Sequence, residues 1–101
     1  MILFAERLTA DEALQIDLVD YLANDFEDLE KVLSDLLAKL AKNGPVAVRM
    51  AKKAIEEGYS TDIETGLTIE NNCYSVVLRT QDRIEGLKAF IEKRPAVYLN
   101  K

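Results

Sequence analysis

Tyr74, Phe90 and Lys93 are the residues of this sequence best suited to meeting a ligand. Phe90 and Lys93 stand three apart in a stretch that reads as helix, so they can share one face. An aromatic ring beside a mobile ammonium suits a nucleotide, by stacking on a base and attracting a phosphate. On the residues alone, core aromatics with a surface lysine explain the same positions better. Reaction chemistry is harder to build. There is no histidine, which removes the commonest general base, the commonest metal ligand and any Ser-His or Cys-His nucleophile. The 18 Asp and Glu residues fall mostly on predicted exposed helix faces or in caps, Glu12 and Glu64 as capping residues and Asp82 with Arg83 as a solvated charge pair. No catalytic residue is assigned. The four glycines are isolated, so they build no phosphate-cradling loop. No grouping has metal-ligand spacing. Cys73, with apolar neighbours on a helix, reads as a small buried hydrophobe rather than a nucleophile.

The elements that must position these residues are helices, about five of them with little or no strand. The organising stretch is Thr61 to Arg94, one long helix, a break near Thr80 and a second helix stopped by Arg94-Pro95. Thr61 with Glu64 spells a capping box, and Thr80 repeats the N-cap role with Asp82 in the first turn, where the helix dipole favours an acid. The first of these helices has two apolar stripes, Ile63, Leu67, Tyr74 and Val77 on one and Ile69, Cys73 and Val76 on the other. A helix apolar on two sides must be covered on two sides, so a second subunit or a further part of the same protein is expected there.

Upstream, Thr9 and Glu12 form another capping box ahead of a helix of about two turns ending around Asp17, and Val19 to Ala23 looks extended. Asn24 or Asp25 caps the next helix, whose Leu29, Val32, Leu33, Leu36, Leu37 and Leu40 recur as an amphipathic stripe. Asn43-Gly44 stops it. Pro45 opens a third helix with a stripe of mostly small residues, Val46, Ala47, Met50, Ala51, Ala54 and Ile55, and Gly58 is the expected stop. Gly66 and Gly86 lie inside predicted helices at a cost of about 1 kcal/mol relative to alanine, which points to close packing. The segments are then 1–23, a linker helix and short extended piece; 24–60, two amphipathic helices; 61–94, the long and C-terminal helices; and 95–101, a tail, all in one helical domain.

With 49% hydrophobic and 31% charged residues, the 101-residue chain has the composition of an ordinary globular domain rather than a disordered tail. No apolar run approaches bilayer length, and the apolar Met1 to Phe4 start lacks the basic region of a signal or transit peptide. A net charge of −5 argues against nucleic acid. The basic cluster Arg49, Lys52 and Lys53 is balanced by Glu56 and Glu57 on the same helix. A single cysteine permits no internal disulfide, which suits a reducing intracellular setting.

The runs GPVAVRMAKKAIEEG, DIETGLTIE, CY and TQDRIEGLKAFIEKRPAVY, preceded by ILFAERLTADEALQIDLVDYL, cover essentially the whole chain. In that order they resemble the C-terminal part of the enoyl-CoA hydratase/isomerase (crotonase) superfamily. The stretch from Asp82 to Arg94 is the most specific part, and the details around CY and TQDR look most like the methylglutaconyl-CoA hydratase branch, which includes RNA-binding relatives. The resemblance implies an all-α trimerisation region, assembling as a trimer or dimer of trimers, that follows a catalytic region of ββα turns. It implies that the catalytic glutamates and the oxyanion hole lie upstream, and that Tyr74, Phe90 and Lys93 match positions lining the site for the adenine and phosphate end of coenzyme A. Ala5 and Asp17 stand where the family usually has glycine.

The expected function is therefore the assembly and CoA-site-closing part of an enzyme acting on 2-enoyl-CoA thioesters. No covalently bound cofactor is expected, and the chain alone is expected to be inactive. Its expected partners are further copies of itself, the N-terminal catalytic region, and acyl-CoA. The mitochondrial matrix or bacterial cytoplasm is the expected setting. The alternative is a stand-alone helical interaction protein that keeps the oligomerisation surface without catalysis.

Overall fold

The computed structural model describes residues 3–101 and contains five helices: α1 (Ala10–Gln15), α2 (Phe26–Leu40), α3 (Pro45–Gly58), α4 (Ile63–Leu78) and α5 (Gln81–Glu92). Among the described residues there is no strand, so the all-α expectation holds. Met1 and Ile2, the start of the apolar opening, lie outside the described residues. The chain forms two compact units, one running up to Leu37 and one from Ala38 to Lys101.

In the first unit, α1 begins with the expected capping box. Thr9 Oγ1 accepts the Glu12 backbone N–H at 3.2 Å, and the Glu12 carboxylate accepts the Thr9 N–H at 2.8 Å. These bonds hold the Glu12 carboxyl below its ordinary range. The helix ends through Asp17, which is left-handed at φ 56°. The Leu18 N–H reaches the Ala13 carbonyl at 2.8 Å and the Asp17 N–H reaches that of Leu14 at 3.1 Å, the paired closure that usually calls on glycine. Ala5 is left-handed too, at φ 52°. Both positions where the family resemblance expects glycine therefore have the backbone conformation that explains it.

α2 is capped by Asp25, whose carboxylate accepts the Asp28 N–H at 2.8 Å, while the Asp28 carboxylate takes both N–H groups offered by Asn24. Asn43 closes the helix, its side-chain amide donating to the carbonyls of Lys39 and Leu40.

The second unit is organised by the packing of α3 on α4. Pro45 starts α3, as expected. Gly58 does not stop it as a left-handed residue, since no glycine has positive φ and Tyr59 continues right-handed. Its use is proximity: a Cβ on Gly58 would sit 3.6 Å from the Gly66 Cα, and one on Gly66 would sit 3.7 Å from the Gly58 carbonyl oxygen. The glycine in α4 thus marks a close helix approach, as its cost suggested. Cys73 is buried at 5% exposure, the small hydrophobe expected.

The cap of α4 is one residue away from its expected place. Asp62, not Thr61, is the N-cap, accepting the Thr65 N–H at 3.0 Å and the Thr65 hydroxyl at 2.6 Å. Thr61 instead donates its hydroxyl to the Gly58 carbonyl at 2.9 Å, tying off the end of α3. An ionised carboxylate is the stronger acceptor for a helix N-terminus, and a hydroxyl can serve a bare carbonyl where a carboxylate cannot. α5 opens on Thr80 as expected, which accepts the Arg83 N–H at 3.1 Å.

Candidate nucleotide-end site and tail latch

α5 carries two acidic residues one turn apart that capture the segment following it. Asp82 is buried at 5% exposure. Its two carboxylate oxygens accept the backbone N–H groups of Leu99 at 2.7 Å and Asn100 at 2.9 Å, and its own N–H donates to the Lys101 carbonyl at 3.1 Å. The reading of Asp82 as a solvated charge beside Arg83 is thereby corrected. The returning chain supplies donors that replace water, so the carboxylate is buried with each oxygen hydrogen-bonded. Asn100 also accepts from the Arg49 guanidinium at 2.7 Å, tying the tail to α3.

Glu85, three residues on, makes a second latch. Arg94 grips it through two guanidinium nitrogens at 2.6 and 3.0 Å, and the Val97 N–H donates to it at 2.9 Å. Arg94 also donates to Glu92 at 2.6 Å and to the Pro95 carbonyl at 3.1 Å. The Arg94 guanidinium first, and then the Val97 amide, lower the Glu85 pKa to about 2. A carboxylate depressed on folding adds stability above its unfolded pKa of about 4.3 and loses it as pH falls from there toward the folded value. Asp28 and Asp62, depressed by their cap hydrogen bonds, act in the same direction. The urea midpoint of Glu85→Gln is therefore expected to change less between pH 5 and pH 2 than that of the parent (roughly the window that linkage assigns), and parallel profiles would refute that assignment.

Between these latches Tyr98 lies against Gly86 and Gly44. A Cβ on Gly86 would come within 3.2 Å of the Tyr98 hydroxyl, and one on Gly44 within 3.7 Å of its ring. Gly86, like Gly66, marks a close approach, here with the tail. An open cleft of about 330 Å³ results, lined by Gly44, Ala47, Tyr74, Val77, Thr80, Asp82, Arg83, Gly86, Leu87 and Tyr98.

Of the three residues singled out from the sequence, Tyr74 lines this cleft and is 57% exposed. Phe90 and Lys93 are not among its lining residues. Phe90 is 84% exposed, and Lys93 is exposed at the end of α5. Among the described residues neither the Tyr74 nor the Phe90 ring is buried in a core. Lys93 also does not continue the helix from Phe90. It is the terminator, left-handed at φ 52° and ψ 40°, with the Arg94 N–H reaching the Ala89 carbonyl at 3.1 Å and the Lys93 N–H that of Phe90 at 3.3 Å. Sequence reasoning missed Asp82, Glu85, Arg94 and Tyr98 as one assembly. The available signal was two acids at i, i+3 ahead of a proline that turns the chain back.

A second apolar surface of the unit is a groove of about 520 Å³ lined by Ala51, Ala54, Ile55, Gly58, Tyr59, Ile63, Gly66, Leu67 and Glu70. Here Ile55 is 69%, Ile63 75% and Leu67 51% exposed. No helix among the described residues is long and apolar enough to cross a membrane.

An all-α region with a latched tail and exposed apolar helix faces is what the architecture defines. The family model for enoyl-CoA hydratase/isomerase matches residues 1–101, and the chain belongs to that family. It is similar to the YngF protein of Bacillus subtilis, with 48% identity over 92 residues covering 91% of this chain and 35% of that protein. It is 40% identical to the mitochondrial methylglutaconyl-CoA hydratase of Mus musculus, over 97% of this chain and 32% of that one. The crystal structure of an enoyl-CoA hydratase from Bacillus anthracis superposes with a TM-score of 0.89 at 42% identity, covering 95% of this chain and 37% of that chain. The chain thus spans about a third of the length of the curated relatives it matches.

Proposed function

We propose that these 101 residues act as one helical domain, the C-terminal part of an enzyme working on 2-enoyl-CoA thioesters, and that they assemble its trimer and close its CoA site. The observation that carries this reading is a family match along the whole chain that spans only about a third of its relatives. Hydration of an enoyl thioester needs a base to activate water, an acid for the α-carbon and N–H donors for the enolate oxygen. In this reading those groups, two glutamates and an oxyanion hole, belong to the part of the enzyme outside these residues. Phe90 and Lys93 supply a stacking face and a cation for the adenine and phosphate end of CoA, with Tyr74 on the neighbouring helix. A reducing compartment, mitochondrial matrix or bacterial cytoplasm, suits the buried thiol of Cys73.

The test is CoA binding by the protein that carries this sequence. Phe90→Ala and Lys93→Ala are each expected to raise the Kd for CoA several-fold, about 1 kcal/mol apiece for a partly exposed stacking or ionic contact. Unchanged affinity in both would sink the site. The exposed Ile55, Ile63 and Leu67 also favour a second reading, a stand-alone interaction protein that kept the assembly surface. Stereospecific hydration by the purified 101-residue chain would contradict both readings, whereas co-purification of that inactive chain with an intact hydratase would favour the second.

A further inference from the structure

We propose that Glu85 and Arg94 are positioning residues that hold Lys93 in its left-handed conformation and leave its ammonium unpaired for a phosphate-bearing nucleoside. This rests on the reading that Phe90 and Lys93 meet the nucleotide end of CoA, and it deepens that reading.

The first observation is conformational. The position after a helix that must be left-handed is ordinarily glycine, because a Cβ is crowded there. Here it is a lysine at φ 52°. Such strain persists where the surroundings hold it: at Asp17 the paired backbone closure does so alone, and at Lys93 the same closure is joined by a side-chain clamp. The residue before Lys93, Glu92, and the residue after it, Arg94, are joined side chain to side chain at 2.6 Å. Arg94 is in turn clamped to Glu85 by two nitrogens, and Glu85 to the Val97 amide. Lys93 is thus the apex of a turn whose two flanks are fastened together and then to the helix body.

The second observation is electrostatic. Glu85 and Glu92 are the acids bonded to the residue that follows Lys93. Both are taken by Arg94, and Glu92 also faces Lys88 at 3.9 Å. Lys93 forms no ion pair or side-chain hydrogen bond among the described residues. A guanidinium fork suits planar bidentate pairing with carboxylate, while an ammonium is a compact point charge suited to phosphate. The division of labour follows: Arg94 consumes the local carboxylates, and the neighbouring ammonium stays available beside the exposed ring of Phe90.

The test is calorimetric titration of the full chain with adenosine 3′,5′-bisphosphate, together with the backbone amide shift and coupling constant of residue 93. Lys93→Gly is expected to raise the thermal midpoint, because the strain is relieved, yet weaken the probe several-fold. Arg94→Lys keeps the charge but loses the fork. It and Glu85→Gln are expected to weaken the probe several-fold with Lys93 intact, and to move residue 93 out of its left-handed signature. If Lys93→Ala leaves the affinity unchanged, the underlying site fails. If Lys93→Ala weakens binding while Arg94→Lys and Glu85→Gln leave affinity and residue-93 signature unchanged, the positioning inference alone fails. Arg94→Lys decides the matter should Glu85→Gln not fold.

Discussion

Asp82→Ala is expected to destabilise the second unit by about 2–4 kcal/mol and to release the tail from α5. Hydrogen bonds to a charged group contribute about 1.5–3 kcal/mol each, and this carboxylate accepts two, from Leu99 and Asn100. The sum is an upper bound, because a freed tail can take its N–H groups back to water. What then remains to hold it is the backbone bond from the residue-82 N–H to the Lys101 carbonyl, the exposed Arg49–Asn100 contact and the Glu85 latch. Tyr98 has only its packing on Gly44 and Gly86 to keep it in place. Urea unfolding should show a lower midpoint, and amide exchange at Leu99 and Asn100 should rise to that of an open segment. Asp82→Asn should fall between, since one carboxylate oxygen is replaced by a donor that faces a donor. A loss below about 0.5 kcal/mol, the range of ordinary surface substitutions, with both amides still protected, would show that the latch is not what holds the tail.

That latch also shows where the sequence stopped being informative. The caps at Thr9 and Thr80, the proline start of α3 and the close approach at Gly66 are local or compositional features, and each was legible. Asp82 looked like a first-turn acid placed for the helix dipole, which it also is. Its burial depends on a chain segment returning 17 and 18 residues later, and no periodicity encodes that return. The Thr61 misassignment is of a different kind. Two adjacent acceptor residues competed for one N-cap, and the winner was set by which group had a carbonyl to satisfy behind it. Gly58 was legible as a glycine needed near a helix end, but its reason lies across the helix pair rather than in its own φ. Phe90 was the hardest. An apolar ring at helical spacing reads as core until the cover is known, and within this chain nothing described covers it.

The same consideration sets the last expected result. On the assembly reading proposed above, Leu67→Asp or Ile63→Asp should leave the helices formed but abolish self-association, shifting the mass in solution from a multiple of the protomer to the protomer itself. Both residues lie on the uncovered stripe of α4, four apart, and face the groove shared with Ile55 and Tyr59 of the α3 end. With Ile63 75% and Leu67 51% exposed, an aspartate at either costs the isolated chain less than it would in a core. In an assembly the sign reverses. Burying a Leu or Ile side chain contributes about 1.5–3 kcal/mol, and an unpaired carboxylate in its place adds a desolvation cost of several kcal/mol. Together these amount to a weakening of more than about 100-fold per interface, repeated at each interface of a closed ring. Light scattering on the parent and variant, with far-UV circular dichroism as the control for folding, reads this directly. Unchanged mass in both variants would mean that this stripe is not where copies meet. The cover for Ile63 and Leu67 would then have to come from another part of the same protein, and co-expression of that part with the aspartate variants would be the place to look for the lost contact.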